Sequence, residues 1–226
     1  MSELLKQWFP HVMEKPDMFL TSLTETLIMV GWAGGFMFLF GLFFGIVLTV
    51  TKEGGVLACR PVYQVLDKII NLFRSIPFVI LIALLMNVTR LLMGTRIGVK
   101  GVIVPLVVGS APFFARQVEA ALCEVDNGLV EAAKSMGVSP VGIILRVYLR
   151  EGTAALARGT TITLISLIGL TAMAGYVGAG GLGDYAITHG YNYNRMDIVW
   201  AAVIAIVAIV TLIQAVGTLI AKKATH

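Results

Sequence analysis

Charge is scarce in this sequence: Asp, Glu, Lys and Arg make up only 13% of its 226 residues, against about 25% in an ordinary globular domain. That excludes a solvated surface over most of the chain. Histidine is limited to His11, His189 and His226, with no carboxylate or cysteine at ligand spacing, so no metal-site pattern is present. Only Cys59 and Cys123 carry thiols, too few for a disulfide framework. No nucleophile and base cluster can be assembled, and no Gly-x-x-x-x-Gly-Lys-Ser/Thr loop occurs to cradle a nucleotide phosphate. Internal repeats, the usual pointer to a secondary transporter working alone, are also missing. The net charge of +4 comes without an exposed basic domain and does not point to nucleic acid.

Apolar sequence is what the chain has instead, 58% of it, with a mean hydropathy of +0.88. Crossing a hydrocarbon layer of about 30 Å takes roughly 20 residues at about 1.5 Å each. Thr26 to Thr51, Gly159 to Gly183 and Ile198 to Ala221 each exceed that length without one charge. Two shorter windows, Ser75 to Thr89 and Gly101 to Ala115, sit between Arg74, Arg90, Lys100 and Arg116, whose long side chains can snorkel to the interface. Pro77, Pro105 and Pro112 fall in them and are tolerated where neighbours satisfy the freed carbonyls. The expectation is an all-α membrane protein of five transmembrane helices at about 24–50, 63–92, 99–119, 156–177 and 196–221. Residues 1–22 form an outer lead-in, 23–219 the transmembrane domain and 220–226 a tail.

With the N-terminus outside, eleven of the 17 Lys and Arg fall on the inner side and six outside. The positive-inside rule then predicts N-out and C-in. Both cysteines lie on the inner side in this topology, where thiols stay reduced. In the first span Gly31 and Gly35, then Gly41 and Gly45, make two Gly-x-x-x-Gly pairs that allow close helix approach.

The long inner loop, residues 120–155, is too apolar for a solvated linker. Leu129, Val130, Ala132, Ala133 and Met136 recur at three-to-four spacing, which predicts a short amphipathic helix. Asp126 or Asn127 can cap its start, and Gly137 can end it in the left-handed conformation. Ser139 and Pro140 then open a second helix as N-cap and first residue. Two short helices at a glycine corner make a knob suited to docking.

At this loop the sequence resembles a known family. Glu131-Ala132-Ala133, three further residues and Gly137 match the signature of ABC importer permeases, with Arg150 standing where the family usually has proline. Asn71 to Phe78, Pro105 to Arg116 and Gly178 to Gly183 are similar to methionine importer permeases. The resemblance implies five spans of the type I importer core and a homodimer. It implies two ATPase subunits that use ATP and Mg²⁺, and a periplasmic or lipid-anchored receptor for L- or D-methionine. No cofactor is expected on this chain, which would be non-catalytic and sit in the bacterial cytoplasmic membrane. Glu131, Ala132, Ala133 and Gly137 would form the coupling helix.

Candidate pathway or gating residues are Arg74, Ser75, Pro77, Ser110, Arg116, Thr160, Thr163, Gly180 and Gly181. Arg116 and Glu119 are three apart, so a local ion pair is the plain structural account. Thr160 and Thr163 can equally donate to carbonyls of the preceding turn. Gly178 to Gly183 formally fits Gly-x-Gly-x-x-Gly but follows a membrane helix rather than a strand, which favours a flexible outer turn. The alternatives are a permease for another small amino acid or a betaine-like osmolyte and, from a different class, an autonomous channel or secondary transporter.

Overall fold

The computed structural model describes residues 7–224, and the described residues contain helices and turns but no strand. A short helix α1 (Pro10–Glu14) precedes α2 (Pro16–Thr51). Then come α3 (Arg60–Ser75), α4 (Phe78–Met93) and α5 (Gly98–Cys123). The loop holds α6 (Asn127–Ser135), α7 (Pro140–Ile143), a π-helical turn at Ile144–Tyr148 and α8 (Leu149–Glu151). Helix α9 (Thr153–Tyr176), the single turn α10 (Gly181–Asp184) and α11 (Met196–Ala224) complete the chain.

Helices α2, α5, α9 and α11 are each long and apolar enough to cross a membrane. The predicted second span, 63–92, is corrected: it is two helices, α3 and α4, and gives a fifth crossing only if the broken pair counts as one. Pro77 is the cause. Its ring disfavours helical backbone at the preceding residue, and Ile76 is extended at φ −82° and ψ 123°. Helix α2 begins at Pro16, about eight residues earlier than expected. Pro16 is pre-set for a first helical position and Asp17 suits the positive end of the dipole. At about 1.5 Å per residue its 36 residues exceed the bilayer core, so part of it lies outside the hydrocarbon.

The chain folds into two compact units, and each long helix contributes a segment to both. One unit takes residues through Gly35, Pro77–Val107 and Leu164–Ile213. Its core includes Val12, Tyr185, Ile198 and Ala202, with the Phe19 ring edge-on to Tyr185 at 5.9 Å. The other takes Phe36–Ile76, Val108–Thr163 and the chain from Gln214 onward. There Leu48, Ile70 and Ala115 pack with Phe44, Tyr63 and Leu66.

Small residues set the helix spacing in this second unit, as expected where lipid removes the hydrophobic drive for association. A Cβ at Gly41 would lie 2.6 Å from Phe114 Cδ1, and one at Gly45 2.5 Å from Val118 Cβ and 2.7 Å from the Ala115 carbonyl oxygen. Helices α2 and α5 therefore touch almost backbone to backbone there. Gly31 and Gly35 meet nothing within 4 Å, so the two Gly-x-x-x-Gly pairs, alike in sequence, differ in use. Outward positions such as Trp200, Ile204, Val207, Leu212 and Val216 of α11 are exposed and apolar, as a lipid-facing helix requires.

Candidate functional site

The knob in the inner loop is built from caps. The Asp126 side chain accepts a 2.8 Å hydrogen bond from Gly128 N–H and starts α6. At the other end Gly137 N–H donates to the Lys134 carbonyl and Val138 N–H to the Ala133 carbonyl, the paired bonds of a Schellman closure. That closure needs a left-handed residue, and Gly137 has φ +74°. Two residues on, Ser139 Oγ accepts from Gly142 N–H at 3.2 Å and Pro140 opens α7. Val130 and Ala133 are buried under the helix, while Glu131, Ala132, Leu129 and Met136 are exposed. Val141 and Leu145 continue the exposed apolar surface past the corner.

A cavity of about 280 Å³ lies beside α6, lined among others by Lys52, Glu53, Glu131, Lys134 and Tyr148. Near it Lys52 Nζ donates to Cys123 Sγ at 3.0 Å, and this bond holds the Lys52 ammonium above its ordinary pKa. Burial pushes the Tyr148 phenol up.

Arg116 stands in an ion cluster in the same unit. Its guanidinium donates to Glu119 Oε2 at 2.6 Å, to Asp67 Oδ1, and to Asn71 Oδ1 at 3.2 Å. Tyr63 O–H donates to Glu119 Oε1 at 3.3 Å. The predicted Arg116–Glu119 pair is present, but the tie to α3 was not legible: Asp67 and Arg116 are 49 residues apart. The only hint was Asp67 and Asn71 at helical spacing on the polar face of the amphipathic α3. Arg74 is exposed and makes no ion pair among the described residues. Ser75 donates to the Asn71 carbonyl, Thr160 to that of Leu156 and Thr163 to that of Gly159. These are the local back-bonds of hydroxyl residues in membrane helices. Ser110 is buried, and Pro77 marks the break between α3 and α4.

The glycine run lies in the other unit, and two of the amides at its end are bonded to side chains of α2. Gly178, Gly180 and Gly181 have φ of +83°, +81° and +81°. The Glu25 carboxylate of α2 accepts from Gly181 N–H at 2.7 Å, and Thr26 Oγ1 accepts from Leu182 N–H at 2.8 Å. Two side chains of α2 thus cap a helix start 156 residues away. A Cβ at Gly180 would lie 2.5 Å from Glu25 Oε2, and one at Gly181 2.7 Å from Met29 Cε. Neither Glu25 nor Thr26 was singled out in the sequence, where a capping partner this remote leaves no local signal.

The family described as binding-protein-dependent transport system inner membrane component matches residues 41–226. A probable D-methionine transport system permease protein MetI from Vibrio cholerae is 40% identical over 98% of this chain and 97% of its own. The methionine import system permease protein MetP of Bacillus subtilis is 47% identical over 77% and 78%. A solved structure of the MetNI methionine ABC transporter in an inward-facing conformation superposes with a TM-score of 0.90. It is 42% identical and covers 94% of this chain and 99% of that one.

The cap between Glu25 and the glycine run makes a direct prediction. Glu25→Ala leaves the Gly181 amide without its acceptor, at a cost of about 1 to 3 kcal/mol. For a chain of this size that lowers the melting temperature by about 2 to 4 °C per kcal/mol. Glu25→Gln keeps a carbonyl oxygen and should lose less than half as much. Thermal unfolding in detergent measures both, and an unchanged midpoint in Glu25→Ala contradicts the cap.

Proposed function

Because this chain belongs to the binding-protein-dependent transport system inner membrane component family, we propose that it is the permease subunit of an ATP-driven importer and that its cargo is methionine. It is a multi-pass inner-membrane protein. The observation that carries the reading is the likeness to methionine permeases over nearly the whole length, at 40% identity across 98% of the chain. ATP and Mg²⁺ are used by a separate ATPase, and this chain is the non-catalytic partner. Two copies form the pathway and two ATPase subunits bind on the cytoplasmic side. A periplasmic or lipid-anchored binding protein delivers methionine to the outer face.

Residues 23–219 serve as the transmembrane domain, with Glu131, Ala132, Ala133 and Gly137 as the element that couples to the ATPase. Supporting this role, the exposed side of α6 combines Glu131 with the apolar Leu129 and Met136, a polar group beside desolvatable anchors as docking surfaces require. The Schellman closure at Gly137 keeps α6 and α7 at a set angle, so a push on α6 moves the corner as one body. Gly180 and Gly181, held by Glu25 and Thr26, are the gating element. Arg116 acts through its cluster as an anchor between α3 and α5, and Arg74, Ser75, Pro77, Ser110, Thr160 and Thr163 border the pathway.

Coupling is tested at Gly137. No atom stands within 4 Å of a Cβ there, so Gly137→Val acts through its backbone alone, where a left-handed L-residue loses about 1 to 2 kcal/mol. Asparagine tolerates that region. Gly137→Val should recover less ATPase with tagged permease and lose ATP-dependent methionine uptake, with membrane insertion unchanged, while Gly137→Asn stays close to wild type. Wild-type ATPase recovery and uptake in Gly137→Val would falsify the coupling role.

Orientation is N-out and C-in, supported by the excess of Lys and Arg on the proposed inner side. A membrane-impermeant maleimide applied to intact cells should label a cysteine placed at Asn192 and leave Cys59 and Cys123 untouched. Cys123 is exposed, so its labelling from outside would reverse the topology.

A further inference from the structure

Four basic side chains converge on one cavity at the start of α11. The cavity holds about 120 Å³ and is lined by His11 and Lys15 from the N-terminal segment, His189, and Arg195. Met18, Tyr185 and Ile198 form its apolar part. A carboxylate beside it, Asp197, is already engaged. Asp197 takes the His11 backbone N–H on Oδ2 at 2.9 Å and His11 Nδ1 on Oδ1 at 2.9 Å. A carboxylate only accepts, so His11 carries its proton on Nδ1.

Among the described residues Lys15, His189 and Arg195 make no ion pair. Arg195 lies over the Tyr193 ring at 5.7 Å, which holds its guanidinium beside the opening. Lys15 and Arg195 are permanent cations and no carboxylate is among the lining residues, so the wall of the cavity is electropositive whatever the state of the imidazoles.

Its depth in the membrane follows from its neighbours. Arg195 and Asp197 are the last charged residues before the apolar run of α11, Ile198 to Ala221. Trp8, Tyr191 and Tyr193 are all about two thirds exposed or more, as aromatic rings are at the headgroup level. From Met196, directly beside Arg195, an exposed apolar stripe runs down α11 through Trp200, Val203, Ile204 and Val207. A positive cavity at headgroup depth with an apolar track leading from it fits one chemistry.

We propose that this cavity binds the phosphate of an anionic membrane phospholipid, with Lys15 and Arg195 as charge-assisted donors and the acyl chains along the α11 stripe. Guanidinium and ammonium bonds to phosphate oxygens are among the stronger hydrogen bonds, and neither cation must first abandon a carboxylate. Because the N-terminal segment supplies Lys15 and the turn leading into α11 supplies Arg195, the lipid ties the start of the chain to the entry of its last span. The inference rests on the chain spanning a membrane and not on its cargo.

Native mass spectrometry of the full chain in complex with its ATPase, released from nanodiscs of equal phosphatidylglycerol and phosphatidylcholine, tests it. One phosphatidylglycerol should remain per chain. Lys15→Gln/Arg195→Gln should lower its retention at least about tenfold, a change worth about 1.4 kcal/mol, and Lys15→Gln alone should lower it less. Arg90→Gln, a basic residue elsewhere, should retain it, and millimolar inorganic phosphate should not displace it. Equal retention in the double variant or no preference for phosphatidylglycerol overturns the proposal. So does retained lipid with lost stimulation by the binding protein, which would assign the basic cluster to an acidic protein surface.

Discussion

Backbone hydrogen bonds that water cannot complete are the constraint on which this structure depends. In hydrocarbon an unpaired amide costs several kcal/mol, so a helix end buried there must be closed by the chain itself. Where the glycine run starts α10, the closure comes from Glu25 and Thr26 of α2. In the inner loop it comes from Asp126, Ser139 and the paired bonds at Gly137. The elements proposed for gating and coupling are therefore both helix termini with fixed geometry. A terminus held by a few bonds can keep its shape when pushed, which is what a transmitted motion requires.

Close helix approach is the second requirement, and the two glycine pairs of α2 show how it is allotted. Gly41 and Gly45 admit Phe114 and Val118 of α5, and Gly217 of α11 sits where any side chain would overlap Thr161. Nearby, Arg116 bridges Asp67 on α3 and Glu119 on its own helix. Removing one member of such a partly buried cluster leaves an uncompensated charge, which is more costly than never having built it. The cluster holds the amphipathic α3 on the bundle next to the break at Pro77.

What could be read from the sequence was local. The caps and turn of the inner loop lie within a few residues of each other, so Asp126, Gly137, Ser139 and Pro140 announced the corner. The apolar runs likewise announced α2, α5, α9 and α11. Pro77 was visible, but whether a membrane proline kinks a helix or ends it depends on its neighbours, and here Ile76 turns extended. The Glu25–Gly181 and Asp67–Arg116 contacts join residues 156 and 49 positions apart, where no periodicity carries information. The resemblance of Glu131 to Gly137 to ABC importer permeases agreed with the family match over residues 41–226, and that of Asn71 to Phe78 to methionine importer permeases agreed with the relatives at 40% and 47% identity.

The central claim is that this chain moves methionine only as part of an ATP-driven assembly. Vesicles containing the chain, its ATPase and the binding protein should accumulate radiolabelled methionine when ATP and Mg²⁺ reach the ATPase. Uptake should stop when any one of these is withheld. Vesicles containing the chain alone should show neither ATP hydrolysis nor accumulation under a proton or sodium gradient. Gradient-driven accumulation by the chain alone would contradict the account.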